Sequence, residues 1–178
     1  MNKTDIINHA LTLLGQATVI SAEGAPAMDA LFNNSKKRLL RSYPFACARK
    51  DYVLNPLSEM PEFGYLHKYQ LPADCLRVDP RFFDKNGGVR KGDAVYTDAE
   101  EMKFTGIADI DEAALTEDVA ALLAYDLAIE TCFLLTSDKN LEEQLKRRRA
   151  DLFESAKRDS AQESTPEEIV YACSWGIR

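Results

Sequence analysis

Apolar residues recur every three to four positions in four segments of the chain, as they do on the buried face of a helix. The first segment ends at Gly15, a residue type that commonly follows a helix. The second opens on Pro26, which suits a first helical turn, and stops before Pro44. The third is apolar around most of its circumference, which predicts a central core helix. The pattern predicts helices over residues 4–15, 26–42, 113–136 and 138–162.

The pattern changes between residues 45 and 107. Runs such as ARKDYVL, YLHKYQL and CLRVDPRFF are typical of strands, and the Asn-Gly-Gly sequence at 86–88 predicts a hairpin turn. We therefore expect a small antiparallel β region, about 45–107, between helical flanks. The predicted fold is α+β and mainly α: a single domain over residues 1–163, built as a bundle of about four helices with this small β insertion, followed by an extended C-terminal tail over 164–178.

The tail shows neither helical nor alternating periodicity, yet it is rich in apolar residues and holds the chain's one tryptophan. Apolar residues that cannot pack on their own helix or strand need a partner surface, and aromatic side chains are common anchors of such contacts. The arginine at its end can make charge-assisted hydrogen bonds. We interpret the segment as a docking tail, with partner-contacting residues Ile169, Val170, Tyr171, Trp175 and Arg178.

Charge narrows the possible partners. The 178 residues carry a formal net charge of −7, which argues against a tight, sequence-independent grip on DNA. Nine acids and one base lie between residues 93 and 118. Two interpretations stay open: a solvated loop with acids at a helix start, or an acidic rim facing a basic partner or a channel for DNA. The rim hypothesis centres on Asp109, Asp111 and Glu112.

Candidate chemistry is sparse. Four cysteines lie far apart, two histidines are distant from each other, and no phosphate-binding loop, zinc-protease or nucleophile-elbow motif is present. We therefore predict no catalytic residue, no metal site, no cofactor and no enzyme activity. No apolar stretch approaches the ~18 residues that cross a membrane, so no membrane contact is expected. Two alternatives remain: a phage DNA-binding or packaging accessory protein that uses the basic end of the 26–42 helix, and a small cell-wall glycan hydrolase built on a carboxylate pair.

One segment carries a family resemblance. FGYLHKYQLPADCLRV, with Leu71 to Val78 at its end, resembles an aromatic-rich strand and Leu-Pro-x-Asp-Cys-Leu-Arg-Val sequence of the podovirus tail tubular protein A family. The opening IINHALTLLG, the segment LLRSYPFACARKDYVL, the two later helical segments and the final Trp-x-x-Arg are also similar. From the residues alone, Asp74 is expected to cap a turn through backbone N–H groups, and Arg77 to pair with a carboxylate, either within the chain or across a subunit boundary.

The resemblance implies a structural virion protein. It implies a head-to-tail adaptor with other copies of itself in a ring of about twelve, placed between the portal protein and the tail nozzle or tail tube protein. DNA passes through such a ring without specific binding. The implied location is the head–tail junction of the virion, after assembly in the cytoplasm of a host bacterium.

Overall fold

The computed structural model describes residues 1–163, which form five α-helices and two three-stranded antiparallel sheets. In chain order the helices are α1 (Lys3–Leu13), α2 (Pro26–Ser42), α3 (Pro80–Asn86), α4 (Glu117–Thr136) and α5 (Lys139–Gln162). The strands are β1 (Arg49–Leu54), β2 (His67–Gln70), β3 (Cys75–Val78), β4 (Val89–Lys91), β5 (Ala94–Thr97) and β6 (Met102–Ala108). Short 3₁₀ turns lie at Ala22–Gly24, Ala46–Ala48 and Glu112–Ala114.

Local sequence explains where the long helices begin. The side chain of Asn2 accepts a hydrogen bond from the Asp5 backbone amide, and the Asp5 side chain accepts one from the Asn2 backbone amide. Together these two bonds form a capping box at the start of α1. At α5, Asp138 accepts from the amides of Asn140 and Leu141. Ser137, at φ 55°, is the one residue between α4 and this cap, so α4 and α5 form a tight helical hairpin.

The helix α4 is the centre of a helical cluster of 24 buried apolar residues drawn mainly from α1, α2, α4 and α5. Asp126, on the same helix, is 9% exposed and pairs with Arg149 of α5 at 2.9 Å. By length and composition α4 is also the one helix of residues 1–163 that could cross a membrane, so the expectation of no such stretch was wrong. Within the fold, three helices pack against it.

The two sheets have the strand orders β1-β6-β3 and β2-β5-β4, with every pairing antiparallel. In the first sheet, β6 lies between β1 and β3, which come from earlier and well-separated parts of the chain. Between the sheets and α3 lies a second, aromatic-rich core, here called the β cluster. Its ten buried residues are Tyr52, Tyr69, Leu71, Cys75, Val78, Phe82, Val95, Met102, Phe104 and Ala108.

The prediction of a bundle of about four helices with one small β insertion was wrong. The described residues contain five helices and two sheets, 54% helix and 17% strand, and the β region has a core of its own. The main error lies at CLRVDPRFF, where β3 ends at Val78 and α3 begins. Asp79 caps that helix by accepting the Arg81 amide, and Pro80 occupies its first turn.

The Asn-Gly-Gly sequence ends α3 instead of turning a hairpin. Gly87 lies at φ 66° after the last helical residue, a conformation that favours glycine. The tight hairpin lies further on, where Gly92, at φ 59°, helps to connect β4 to β5.

Candidate interaction surfaces

Lys36 joins the middle of α2 to the segment that leads from β6 into α4. Its side chain is 8% exposed, and its ammonium lies 3.0 Å from Oδ1 of Asp109 and 3.4 Å from Oε1 of Glu112. It also donates to the Ile110 carbonyl at 2.8 Å. Lys37, which is half exposed, reaches the other Asp109 oxygen at 3.4 Å. Removal of Lys36 would leave Glu112 without an ion-pair partner among residues 1–163 and Asp109 with Lys37 alone.

This arrangement changes the picture of the predicted acidic rim. Asp109 and Glu112 face lysines of their own chain, whereas Asp111 is exposed and has no ion-pair partner among residues 1–163. An acid that is neutralised within the chain contributes little to the field at a distance. The rim hypothesis stays a prediction, and in this fold its charge rests on Asp111 and on other exposed acids of residues 93–118.

The basic residues of α2 are engaged in the same way. Arg38 pairs with Glu130 of α4, and that hydrogen bond raises the pKa of the Arg38 guanidinium. Together with the lysine contacts, this leaves Arg41 as the α2 base without an ion pair in the described part of the chain. A helix that binds DNA presents its basic side chains outward, where they contact phosphates and the edges of nucleobases. The DNA-binding alternative therefore finds little support in α2.

The segment that carries the family resemblance uses Asp74 and Arg77 differently from the expectation. The Asp74 carboxylate accepts from Nζ of Lys50 at 2.7 Å, and its main-chain carbonyl accepts from the Asp109 amide. Arg77 donates to the Arg41 carbonyl at the C-terminal end of α2, at 2.9 Å. A cation suits that end of a helix, because unpaired carbonyls carry partial negative charge there.

One exposed apolar surface lies at the turn of the α4–α5 hairpin. Phe133, Leu134 and Leu135 are 57%, 71% and 40% exposed, and together they form the hairpin-tip patch. Sequence reasoning assigned these residues to a buried helix. The run of three apolar residues could have indicated their exposure, because consecutive positions on a helix point about 100° apart and cannot all face one core.

A second exposed apolar surface lies in the β region, on the connection between β1 and β2. This loop patch has three main members, Met60, Phe63 and Leu66, which are 87%, 75% and 67% exposed. The loop is attached to the sheet: the Leu57 amide donates to the Lys68 carbonyl at 2.8 Å, and the Leu66 amide donates to the Asp98 carboxylate at 2.9 Å. Its apolar side chains are therefore displayed on a loop with fixed ends.

All the predicted docking residues lie outside the described residues: Ile169, Val170, Tyr171, Trp175 and Arg178. Within residues 1–163 no group of three or more His, Cys, Asp or Glu side chains is arranged to hold a metal ion. Comparison with models of known protein families and with curated proteins found no match. The function is therefore inferred from the surfaces described above and from the resemblance of residues 71–78 and their flanks.

Proposed function

We propose that this chain is a structural virion subunit, a head-to-tail adaptor that forms a ring between a portal and a tail. The observation that carries the proposal is the pair of exposed apolar surfaces, the hairpin-tip patch on the helical cluster and the loop patch on the β region. Groups of exposed apolar side chains mark interaction sites, and an adaptor needs more than one of them because it contacts several neighbours. The sequence similarity of residues 71–78 and their flanks supports the same proposal.

The charge distribution fits this role. Acids outnumber bases, and most bases of α2 are engaged by carboxylates of the same chain. A subunit of this kind repels phosphates, so DNA in a central channel stays mobile. The docking tail, residues 164–178, remains a predicted contact to the portal. We expect the free chain to be monomeric or weakly associated, and to complete its ring on a portal.

The test uses portal-bearing heads, without tails, of the virus that carries this chain. Leu134→Asp in the hairpin-tip patch and Phe63→Asp in the loop patch each place a charge in a proposed contact, and each is expected to reduce attachment at least about tenfold. The matched control is Ile20→Asp, because Ile20 is fully exposed but belongs to neither patch. Circular dichroism and a thermal melt should be unchanged for all three variants.

Wild-type attachment of both patch variants would contradict the proposal. So would a wild-type chain that fails to bind heads at all. Attachment lost equally in Ile20→Asp would also count against it, since the effect would then follow from any added surface charge.

A further inference from the structure

Three arginines converge on a cleft where the first sheet meets the end of α2. The cleft has a volume of about 290 Å³, and Arg49 of β1, Arg77 of β3 and Arg81 of α3 supply its charge. Arg49 and Arg77 are both paired in register with Ile107 of β6, one from each side. Their positive charges therefore lie in one cross-strand row, on either side of Ile107. We call this the arginine cleft.

Residues 1–163 provide little negative charge here. Among them, Asp79 is the carboxylate that lines the arginine cleft, and Arg81 holds it at 2.8 Å. Burial acts to raise the pKa of Asp79, but hydrogen bonds from Arg81 and the charge of Arg49 leave it below its ordinary value. Within residues 1–163, Arg49 and Arg77 have no carboxylate within ion-pair distance and donate only to main-chain carbonyls.

A surface of opposite charge lies at the other end of β6. The turn between β5 and β6 holds Asp98, Glu100 and Glu101, all exposed, and Glu101 also pairs with Lys103 of β6 at 2.5 Å. It adjoins the loop patch through the hydrogen bond from the Leu66 amide to Asp98. Glu101 precedes the first residue of β6 and Ile107 is near its end, so about six residues, or roughly 20 Å of strand, separate the acidic turn from the arginine cleft.

We propose that the arginine cleft of one copy receives the carboxylates of the β5–β6 turn of a second copy. Both surfaces combine charge with apolar area: Pro44, Pro80 and Ile107 line the cleft, and the loop patch borders the turn. Two different complementary surfaces, separated along the protomer, make a head-to-tail contact that repeats from copy to copy and closes into a ring when the rotation allows. Arginine forks are suited to carboxylates because they donate two parallel hydrogen bonds.

A neighbouring carboxylate fits this cleft better than DNA does. The three arginines line one recess, whereas a phosphate backbone is bound by basic residues that follow the repeat of its charges. The acidic excess of the chain also disfavours a polyanion, whereas it supplies every copy with carboxylates for its neighbour. This inference rests on the proposed function in one respect only, namely that identical copies assemble.

A charge-swap experiment tests the contact in solution, without heads. The cleft variant carries Arg49→Glu and Arg77→Glu, and the turn variant carries Glu100→Lys and Glu101→Lys. Each variant alone brings like charges together at the contact, so its self-association at high concentration should be at least about tenfold weaker than that of the wild type. In an equimolar mixture, the glutamates in the cleft of one variant meet the lysines in the turn of the other, and the unchanged arginine cleft meets the unchanged acidic turn. Association should therefore return in the mixture.

The matched control for the cleft variant is Arg148→Glu with Arg158→Glu, which makes the same change in net charge at exposed positions of α5. It should associate like the wild type. A milder pair, Arg49→Gln with Arg77→Gln, keeps the test valid if the double glutamate variant melts at a lower temperature. Sedimentation velocity reports association for every variant.

Of the two states expected for the free chain, monomeric or weakly associated, this contact requires the second. A wild-type chain that shows no association at any concentration would therefore overturn the inference, and so would failure of the mixture to associate. Unchanged self-association of the cleft variant would also overturn the inference. This holds even if that variant loses binding to a DNA duplex or to inorganic phosphate, since the cleft would then bind a different anion. These outcomes are distinct from failure of the proposed function, because a mixture that associates in solution while wild-type protein ignores portal-bearing heads would retain the contact and reject the adaptor role.

Discussion

The helical cluster and the β cluster bury different types of apolar side chain. The helical cluster buries 24 apolar residues, most of them aliphatic and supplied by four helices of local periodicity. The β cluster buries ten, of which four are aromatic. Each displays an apolar patch to solvent, at the hairpin tip and on the β1–β2 loop. The helical cluster therefore supplies most of the buried apolar residues that stabilise the fold. The β region, with the smaller core, carries the charged surfaces of the proposed ring contact.

The largest expected effect lies in the helical cluster. Leu127 of α4 is fully buried, and Leu127→Ala should reduce the free energy of unfolding by about 3–5 kcal/mol through lost transfer energy and a residual cavity. Leu134, seven residues further along the same helix, is 71% exposed, and Leu134→Ala should change it by less than about 0.5 kcal/mol. Urea unfolding followed by circular dichroism measures both. Similar losses for the two variants would mean that the hairpin tip is buried in the free protein.

The next effect concerns the lysines that join α2 to the chain beyond β6. Lys36→Met should cost about 3 kcal/mol, because Glu112 would lose its ion-pair partner in a partly buried site and Asp109 would keep only the contact to Lys37. Lys37→Met is the matched control; this lysine is half exposed and its ion pair is longer, so the cost should stay below about 1 kcal/mol.

Equal costs for Lys36→Met and Lys37→Met would show that the burial of Lys36 carries no energetic weight. Partial recovery of stability in the double variant Lys36→Met with Asp109→Asn would support the account, since it removes Lys36 together with the carboxylate that lies closest to its ammonium.

The two clusters also differ in what the sequence reveals. Local signals are enough for the long helices: the segment 26–42 coincides with α2, and the Asp138 cap marks the start of α5. The β region depends on pairing between distant strands, such as β1 with β6, which no local pattern specifies. The Asp-Pro pair at 79–80 was a usable helix-start signal, but the two phenylalanines that follow also suit a strand.

The candidate surfaces were predictable only in part. Asp111 is an exposed acid, as a rim requires, whereas the engagement of Asp109 and Glu112 depends on Lys36, more than seventy positions away in the sequence. The convergence of Arg49, Arg77 and Arg81 follows from the register of three strands and from α3. A sequence pattern records charge but not which opposite charge the fold brings beside it.

The smallest expected effect lies inside the β cluster, where two buried tyrosines differ in one hydrogen bond. The Tyr69 hydroxyl donates to the Ala99 carbonyl at 2.7 Å. The Tyr52 hydroxyl is buried near the Asp74 carboxylate, but it makes no hydrogen bond of good geometry in residues 1–163. At about pH 7, Tyr69→Phe should therefore cost about 1 kcal/mol, and Tyr52→Phe should be close to neutral or slightly stabilising. Urea unfolding at this pH measures both, and equal costs would mean that the Tyr52 hydroxyl has a partner such as water.

The same tyrosines predict how stability responds to alkali. Burial raises the pKa of both phenols, and the charge of Asp74 adds to the effect at Tyr52. The folded protein therefore holds these protons more tightly than the unfolded chain, whose tyrosines titrate near about pH 10. Their contribution is complete below that pH and is lost as the pH rises above it, by up to about 1.4 kcal/mol per pH unit for each tyrosine. Tyr52→Phe should make the decline between about pH 10 and about pH 11 shallower than in the wild type. An unchanged slope would show that the Tyr52 phenol ionises as readily in the folded protein as in the unfolded chain.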